Sequence, residues 1–384
     1  MKVLHLAGWY PSPGSPLNGI FIKDYIDNLQ GRIFQKVVHV HAEQGDGMAQ
    51  VERHAISDTE SSFLLRSRFC HGRLEEWLTV LLLVLTRLSL GRKWWDIVNV
   101  HIAIPLACHP RLLRAMFGHR IIITEHWSAY HYNFYLPEHS NARHRLQRVF
   151  HHGIPVITVS SALADDIRRF SGSNAFPSFV VPNIIQPNVF RYRSRPAERD
   201  RPVTFLMAAS WSEIKQPFLV LEAFLRLHGM RKDLALRIVG EGQQWNSMKD
   251  FVKDRGLEGS VTFLGRLNKN EMAREMQNAD CFLHASKYET FSIVCVESLF
   301  CGTPVIASSI AAIRDYLDAE NGLFSENTVD DWYETLTSFL QIKDRYDREG
   351  ISRRAIKRFH PDRVRELVLE AYRWTLEHQD EGAR

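Results

Sequence analysis

Short apolar runs rich in β-branched residues alternate with longer helical patterns along most of the 384-residue chain. Near-continuous apolar strands spaced by helices are typical of a parallel sheet that helices cover on both faces. The sequence therefore predicts an α/β fold, with its strands in two sets. The first set is Val3–Ala7, Val37–His41, Ile97–His101, Ile121–Thr124, Val156–Val159 and Phe179–Val181, and the second is Val203–Ala208, Leu234–Val239, Val261–Leu264, Cys281–His284 and Val305–Ala307.

A polar segment between the two sets predicts a domain boundary. Arg191–Pro202 is charged and flanked by Pro, and it has no hydrophobic periodicity, as is typical of a linker. At about 150 residues per domain, the length also fits two large domains. We expect a first domain over residues 1–187 and a second over 188–360, facing each other across a cleft. In residues 361–384 an amphipathic helix follows, which could pack on either domain.

The composition excludes several classes of protein. Hydrophobic residues make up 45% and charged residues 24%, which excludes disordered and collagen-like chains. A formal net charge of +4 is too small to indicate nucleic-acid binding, so we expect no nucleic-acid partner. The five cysteines form no CxxC motif, so we expect no metal site, no disulfide framework and a reducing compartment. The N-terminus lacks the pattern of a signal peptide, which favours a cytoplasmic protein.

The most apolar stretch, Trp77–Leu90, lies in the more basic half of the chain, where residues 1–185 hold 19 Lys and Arg against 14 Asp and Glu. It is shorter than the roughly 20 residues that a transmembrane helix needs. Two interpretations remain open: an amphipathic segment that lies on anionic lipid, and a core helix with a charged outer face. The basic residues around this stretch are Arg66, Arg68, Arg73, Arg87, Arg92 and Lys93, and Trp94 and Trp95 follow it.

The densest group of candidate functional residues follows the predicted strand Cys281–His284. A helix is predicted from about Phe291 to Phe300, because Gly302 follows it at the position where helices commonly end. Free backbone N–H groups at the start of a helix, together with its dipole, are suited to bind a diphosphate. The groups concerned are those of Thr290, Phe291 and Ser292.

Two carboxylates belong to the same segment. Glu289 precedes the predicted helix, where it could bind a polyol or stabilise developing positive charge. Glu297 lies two turns into the helix, where it could accept hydrogen bonds from ribose hydroxyls. The alternative is one Glu that complements the helix dipole and one solvated helix Glu, and spacing alone leaves both interpretations open.

Loops after other strands of the second domain offer further candidates. Lys215 follows the first of these strands and could reach a phosphate as a point charge, the alternative being a solvent-exposed lysine. Gly240, in the strand and turn Ile238–Gly242, permits a close approach to the backbone. After the turn at the end of Val261–Leu264, the backbone of Arg266 and Leu267 could read the edge of a base, with a plain turn as the alternative.

The first domain contributes two candidates. Gly19 ends a loop rich in Pro and Gly after the first strand and opens the next helix, so its backbone could approach a phosphate. His126 follows the strand Ile121–Thr124, where it could hydrogen-bond a substrate hydroxyl or hold a proton transiently. A satisfied surface histidine is the alternative interpretation.

Several motifs together resemble a known family. Glu289 and Glu297 form a Glu-x7-Glu pair that is followed by Cys301-Gly-Thr-Pro-Val305. This resembles the signature of retaining nucleotide-sugar glycosyltransferases of the family 4 type (glycosyl transferases group 1), which have the GT-B fold. Further matches in the order of that family are Thr124-Glu-His126, Val181-Pro-Asn-Ile184, Ile238-Val-Gly-Glu-Gly242, Val261-Thr-Phe-Leu-Gly265 and Asn321-Gly-Leu-Phe324.

The resemblance implies an architecture and a set of roles. It implies two Rossmann-like domains, with the helix in residues 361–384 crossing back to the N-terminal domain. Lys215 would bind the donor diphosphate, Glu297 would hold the ribose, and His126 would lie by the sugar and the acceptor. Glu289 and the backbone from Thr290 to Ser292 would hold the donor sugar.

Three departures from the family pattern bear on efficiency and on donor identity more than on fold. The Arg that the family has five residues before the Lys is Ser210 here, so one diphosphate contact is missing or another Arg supplies it. The Gly after Phe291 is replaced by Ser292, which would crowd or bond the sugar. The Gly-Gly after the Pro-Val strand is Ala311-Ala312.

The resemblance implies a retaining enzyme of the hexosyltransferase type, without cofactor or metal, because Lys and backbone N–H groups neutralise the leaving diphosphate. We expect it to move a sugar from a UDP- or GDP-sugar to a glycan or lipid-linked glycan, in cell-surface polysaccharide synthesis. We expect the enzyme to be cytoplasmic, with its N-terminal domain in peripheral contact with the inner face of the membrane. Another GT-B activity, such as a nucleotide-sugar epimerase, and a non-catalytic sugar-nucleotide-binding protein remain as alternatives.

Overall fold

The computed structural model describes residues 1–11, 15, 18–44, 46–48, 50–70, 72–195 and 201–379. The backbone divides into two compact units. Unit 1 contains Met1–Ile184 and the chain from Val364 onward, and unit 2 contains Ile185–Arg363. These boundaries lie a few residues from the limits expected from the sequence. Of the expected linker Arg191–Pro202, residues 196–200 lie outside the described residues.

The sheet of unit 1 is parallel except at one edge. Its described strands are β1 (Lys2–Ala7), β2 (Phe34–Gln44), β3 (Gln50–Ala55), β4 (Glu60–Ser67), β5 (Ile97–His101), β6 (Ile121–Glu125), β7 (Val156–Thr158) and β8 (Ser178–Val180). Their order is β3-β4-β2-β1-β5-β6-β7-β8, and only β3 pairs in the antiparallel sense, with β4. Every residue of β5 and β6 is buried, as expected of central strands that are covered on both faces.

The sequence pattern does not predict β3 or β4. The strand β3 lies at the edge of the sheet and consists largely of polar residues, so it lacks the apolar run that marks a central strand. Its backbone is held instead by pairing with β4, in a register that places Glu52 opposite Leu64.

Helices connect the strands of unit 1, and local sequence sets their ends. They are α1 (Ile20–Asp27), α2 (Gly72–Ser89), α3 (Pro110–Phe117), α4 (Asn141–Gln147) and α5 (Ser161–Ser171). The Ser160 hydroxyl accepts a hydrogen bond from the Leu163 N–H at the start of α5. Gly172, with φ of 65°, ends that helix in the left-handed conformation that favours glycine.

The sheet of unit 2 is wholly parallel in its described strands. These are β9 (Val203–Ser210), β10 (Leu234–Glu241), β11 (Val261–Gly265), β12 (Cys281–His284), β13 (Val305–Ser308) and β14 (Gly322–Ser325), in the order β11-β10-β9-β12-β13-β14. The short strand β14, at the other edge from β11, was not predicted. The expectation of two parallel-sheet, Rossmann-like α/β domains is confirmed.

The helices of unit 2 cover both faces of this sheet. They are α6 (Pro217–Met230), α7 (Trp245–Asp254), α8 (Lys269–Asn278), α9 (Ile293–Phe300), α10 (Ala311–Arg314), α11 (Val329–Ile342) and α12 (Arg348–Phe359). Phe205 of β9, Phe224 of α6 and Trp332 of α11 are fully buried in one shared core. A capping box between Asn268 and Glu271 starts α8.

The last helix, α13 (Pro361–His378), belongs to unit 1 from Val364 onward. Its buried residues Val368 and Tyr372 pack in one core cluster with Val3 and Ile97 of the central strands. The amide of Asn99 also donates a hydrogen bond to the Tyr372 hydroxyl, at 2.8 Å. The chain therefore returns to its N-terminal unit, as the family resemblance implied.

Candidate functional site

The order of strands in unit 2 singles out one position at the edge of the sheet. The chain passes from β9 to β10 and β11 on one side, and then returns to β12 on the other side of β9. In open parallel sheets, ligands bind beyond the carboxyl ends of the strands at such a switch point. The loops that follow β9 and β12 carry Lys215 and Glu289.

Lys215 and Glu289 form an ion pair at this switch point. Lys215 Nζ donates to Glu289 Oε1, and His284 Nε2, at the end of β12, lies 2.8 Å from the same oxygen. The side chains of Lys215 and Glu289 are only 24% and 12% exposed. The fold thus brings together two candidates that lie 74 positions apart in the chain.

These neighbours keep Glu289 ionised. Burial alone would raise the pKa of the Glu289 carboxyl, but the hydrogen bond with His284 and the charge of Lys215 lower it to about 2. At neutral pH the site therefore presents a carboxylate and an ammonium group in contact, in a partly desolvated environment where their interaction with a ligand is strong.

Hydrogen bonds hold the two loops together. The Lys287 N–H donates to the Ile214 carbonyl at 2.8 Å, and Ser286 Oγ donates to the same carbonyl at 3.2 Å. The Tyr316 hydroxyl donates to the Phe291 carbonyl at 2.8 Å. These contacts pre-organise the backbone around Lys215 and Glu289 before any ligand is present.

Helix α9 begins at Ile293, later than the predicted start at Phe291. Ser292 precedes it with φ of 68°, a left-handed conformation that cannot be part of an α-helix and that favours glycine. Its Oγ lies 3.2 Å from His284 Nε2. Glu297 is accordingly the fifth residue of α9, so it lies one turn into the helix and not two, and it is half-buried.

The backbone before α9 carries N–H groups that have no acceptor. Those of Thr290, Phe291 and Ser292 donate to none of the described residues. They precede the amino end of α9, where the helix dipole favours an anion. With the nearby ammonium of Lys215, this is a suitable environment for a negatively charged group.

The remaining candidates of unit 2 share the same carboxyl edge of the sheet. Ser210 ends β9, is exposed and pairs in register with Glu241 of β10. Arg266 follows β11, and its Nε lies 3.0 Å from Glu241 Oε2 in a largely exposed ion pair. Leu267 is half-buried beside it. The charge of Arg266 is therefore already partnered by a carboxylate.

The backbone alone explains the glycine at position 240. Gly240 has φ of 113°, and a Cβ placed there would lie 1.9 Å from the Ala209 carbonyl oxygen. Only glycine allows β9 and β10 to approach so closely at this end. This structural requirement accounts for Gly240 without a ligand.

In unit 1 the switch point lies between β1 and β5, and Gly19 stands in the loop after β1. Gly19 precedes α1 with φ of 64°, and a Cβ there would lie 2.6 Å from the carbonyl carbon of Trp9. Glycine is therefore needed for α1 to start against this loop. Of the same loop, residues 12–14, 16 and 17 lie outside the described residues.

His126 directly follows β6 and is buried. Its ring lies 4.7 Å from that of Phe21, between centroids. Burial lowers the pKa of His126 to about 3, against a smaller opposite effect of the Asn183 side chain. Neither ring nitrogen has a hydrogen-bond partner of normal geometry among the described residues. An uncharged imidazole at neutral pH favours the hydrogen-bonding role over the proton-holding one.

Two polar residues that the sequence pattern does not single out are prominent in the structure. One is His284, the partner of Glu289. The other is Glu125, which accepts hydrogen bonds from the Ala103 N–H and the Tyr130 hydroxyl, each at 2.6 Å. Burial raises the pKa of Glu125 to about 7. Both are ionisable residues at the end of a buried strand, and this position is the signal in the sequence that could have identified them.

The described part of the chain contains no helix long and apolar enough to cross a membrane. Within the same residues, no group of three or more His, Cys, Asp or Glu is arranged to hold a metal ion.

Comparison with known families matches the segment 189–358 to the model described as Glycosyl transferases group 1. The segment is just under half of the chain and covers nearly all of unit 2. It includes Lys215, Glu289 and Glu297, so the residues at the switch point belong to the matched region.

Two curated relatives are similar over parts of the chain. The D-inositol 3-phosphate glycosyltransferase of Paenarthrobacter aurescens is 26% identical over 279 residues, which are 68% of each chain. The alpha-monoglucosyldiacylglycerol synthase of Streptococcus pneumoniae is 33% identical over 129 residues, 34% of this chain and 29% of that protein. The second similarity therefore covers less than a third of the relative's length.

Among solved structures, the Anabaena protein HepE in complex with UDP and glucose matches with a TM-score of 0.70 at 15% identity. The match covers 96% of this chain and 98% of the other, so both units take part. At this identity the likeness shows the fold, which is that of GT-B glycosyltransferases. Together with the group 1 match, it supports a glycosyltransferase.

Proposed function

We propose that this chain is a retaining, metal-independent glycosyltransferase. It would move a hexose from a nucleotide-diphosphate sugar, a UDP- or GDP-sugar, to a glycan or lipid-linked glycan. The observation that carries the proposal is the contact of Glu289 with both Lys215 and His284 at the switch point of unit 2, inside the group 1 segment. In HepE a fold of this kind binds UDP and glucose, which supports a nucleotide-sugar donor.

The donor diphosphate would bind where positive groups converge. At the amino end of α9, Lys215 Nζ and the unpaired N–H groups of residues 290–292 would donate hydrogen bonds to the diphosphate oxygens and balance their negative charge. As the bond between the anomeric carbon and the phosphate oxygen breaks, negative charge grows on the leaving diphosphate. Fixed donors in a partly desolvated site stabilise that charge, which is the role that a metal ion has elsewhere.

Glu289 has two tasks in this proposal. Without donor it holds Lys215 in place. With donor, its carboxylate would accept hydrogen bonds from the sugar hydroxyls and stabilise the positive charge that develops on the sugar ring. Attack of the acceptor hydroxyl on the face that the diphosphate leaves, with its proton passing to the leaving phosphate oxygen, would retain the anomeric configuration.

The nucleoside would extend along the carboxyl edge of the sheet. Glu297, half-buried one turn into α9, is proposed to hold the ribose hydroxyls. The backbone of Arg266 and Leu267 is proposed to contact the base. Ser210 brings no charge to the diphosphate, which leaves Lys215 as the principal cation at the switch point.

Unit 1 is proposed to supply the acceptor side. Gly19 would allow the backbone before α1 to approach a phosphate or sugar, and the uncharged His126 would hydrogen-bond a sugar or acceptor hydroxyl. We further propose that the reaction belongs to cell-surface polysaccharide synthesis. It would take place in the cytoplasm, with unit 1 in peripheral contact with the inner face of the membrane.

The test starts from donor binding. The protein is heated with UDP-, GDP-, ADP- and dTDP-sugars, because a ligand that binds only the native state raises the melting temperature. A UDP- or GDP-sugar is expected to raise it, and Lys215→Ala is expected to abolish the shift. Lys287→Ala is the matched control, since Lys287 lies in the adjacent loop after β12 but pairs with the exposed Glu213.

Turnover then separates the alternatives. A transferase consumes the shifting donor only when acceptor is present, and Glu289→Gln abolishes this consumption. Release of an epimerised sugar without acceptor would assign another GT-B activity. A thermal shift with no turnover in the presence of lipid-linked or free glycans would leave a sugar-nucleotide-binding protein, and no shift with any donor would refute the proposal.

A further inference from the structure

Helix α2 of unit 1 exposes a continuous line of large apolar side chains. Leu74, Trp77, Leu81, Val84 and Leu88, which we call the α2 ridge, recur at intervals of three and four residues and so share one face of the helix. Their exposed fractions are 43%, 56%, 46%, 37% and 71%. The ridge runs almost the whole length of α2, about 20 Å at 1.5 Å per residue.

The ridge is a second apolar face and not the core face of the helix. Leu82 and Leu83 are buried, and α2 packs through that side on β2 and β4. A helix that only completes the core would carry polar residues on its solvent side. Here both sides are apolar, so the outer one is available to a partner.

The charged residues near the ridge are arranged at its two ends. Arg73 precedes the ridge, and Arg92 and Lys93 follow it; all three are exposed. They form no ion pair with any residue that the structure describes. From Arg73 to Lys93 the exposed residues include no acid.

The other charged residues of this segment, Glu75, Glu76 and Arg87, are only partly exposed and do not belong to the ridge. Glu76 is nearly buried and pairs with Arg145 of α4 at 3.2 Å. Arg87 donates through Nε to the Met116 carbonyl and through Nη1 to the Gly91 carbonyl, at 2.9 and 2.7 Å. The outer face of α2 is therefore apolar in the middle and cationic at both ends.

This charge distribution disfavours a second copy of the chain as the occupant. In a symmetric dimer the same face meets itself. If two ridges paired in the antiparallel sense, Arg73 of one copy would lie against Arg92 and Lys93 of the other, and in the parallel sense like ends would also meet. Both arrangements bring cations together at both ends of the contact, whereas an anionic surface complements both ends at once.

We propose that the α2 ridge is a membrane-docking surface that lies in the interface of an anionic bilayer. The helix would lie flat, with the ridge among the acyl chains near the headgroups and with Arg73, Arg92 and Lys93 among the lipid phosphates. Trp77 has the amphipathic ring that favours this depth. The inference deepens the peripheral contact of the proposed function, but the surface itself requires neither donor nor acceptor.

The test measures binding of the full chain to vesicles, without sugar nucleotide. Vesicles of phosphatidylcholine with about one third phosphatidylglycerol are compared with vesicles of phosphatidylcholine alone by sedimentation. Binding is expected to the anionic vesicles, and to fall at least tenfold in the double variant Leu81→Gln, Leu88→Gln. Each cation near the surface is worth about fivefold in partitioning, so Arg92→Glu, Lys93→Glu should reduce binding by more than tenfold.

The matched control is Met230→Gln, which changes an equally exposed apolar residue, 79% exposed, at the end of α6 in unit 2. It should bind anionic vesicles like the unchanged protein. The ridge variants should keep the melting temperature and the donor-induced thermal shift of the unchanged protein. A failure of donor binding is therefore distinguished from a failure of docking.

Three results would overturn the inference. The first is the absence of binding to anionic vesicles by the unchanged protein. The second is undiminished binding by both double variants. The third is a concentration-dependent dimer, without lipid, that Leu81→Gln, Leu88→Gln dissociates, since this would assign the ridge to a second copy.

Discussion

The two units have similar sheets, but the carboxyl edges at their switch points carry different side chains. In unit 2 the switch point carries a charged contact, in which Lys215 and His284 hold the carboxylate of Glu289. In unit 1 the corresponding edge carries buried imidazoles and aromatic rings, among them His126 beside Phe21. Burial lowers the pKa of His126 to about 3, so this imidazole is uncharged at neutral pH.

The difference fits the two kinds of ligand in the proposed function. A polyanion such as a diphosphate requires fixed positive groups, and unit 2 supplies them from loops that are already hydrogen-bonded together. An uncharged imidazole with free ring nitrogens beside aromatic faces suits the hydroxyls and apolar faces of a sugar. The same architecture would thus serve unlike chemistry in the proposed function, because the loops after the strands and not the sheet carry the side chains concerned.

The largest expected effect tests the charged edge. Lys215→Ala removes the principal cation at the switch point of unit 2. Because Lys215 would stabilise the leaving diphosphate, the rate of sugar transfer should fall by about 10² to 10³-fold. The measurement is initial rate with saturating donor and acceptor, beside Lys287→Ala. Equal losses in both variants would mean that a positive charge is needed anywhere on the two loops and not specifically at Lys215.

The second prediction compares two buried carboxyl groups, Glu125 of unit 1 and Glu289 of unit 2. Burial raises the pKa of Glu125 to about 7. Between about pH 4 and pH 7, Glu125 is therefore protonated in the folded protein and ionised in the unfolded chain. Its contribution to stability is full below about pH 4 and is lost as the pH rises to about 7. The buried histidines act in the opposite direction, so the variant must be compared with the unchanged protein. Between these pH values the free energy of unfolding of the unchanged protein should fall by about 3 kcal/mol more than that of Glu125→Gln.

The readout for Glu125 is hydrogen exchange of the β6 amides between pH 5 and 8, which reports the stability of unit 1 by itself. Glu289→Gln is the contrasting variant, and because Glu289 belongs to unit 2 its readout is exchange of the β12 amides. The pKa of Glu289 is lowered to about 2, so its contribution is constant over that range and is lost only as the pH falls from about 4 to 2. Parallel profiles for the two variants would contradict the comparison.

The third prediction concerns the backbone of the unit 1 edge. Gly19 and Gly31 both have positive φ, 64° and 75°, but a Cβ at Gly19 meets Trp9 and one at Gly31 meets nothing. Gly31→Ala should cost about 1 kcal/mol for conformation alone, and Gly19→Ala about 2 kcal/mol more for the overlap. Urea unfolding of the two variants measures the difference. Equal losses would show that α1 can shift to admit the methyl group.

The smallest expected effect tests the nucleoside end of unit 2. Arg266 and Glu241 form an exposed pair, so Arg266→Ala should change the free energy of unfolding by less than about 0.5 kcal/mol. If its backbone contacts the base, donor affinity should change only a few-fold, since the side chain is not the proposed contact. A loss as large as that of Lys215→Ala would instead assign the guanidinium to the diphosphate.

Much of the fold follows from the sequence. Buried central strands leave apolar β-branched runs, and the strand Cys281–His284 lies where the pattern predicted it. The positions of Lys215 and Glu289 in loops after strands could be predicted for the same reason. The edge strand Gln50–Ala55 could not, because a strand held by one neighbour needs no apolar run.

Tertiary structure alone decided the contacts that give these residues their chemistry. The contact of Lys215 with Glu289 depends on β12 lying beside β9, an order that no local pattern encodes. The start of α9 depends on the positive φ of Ser292, and the outward direction of the α2 ridge depends on which side of that helix meets the sheet. A sequence pattern records which residues share a face, whereas what that face meets is determined by elements distant in the chain.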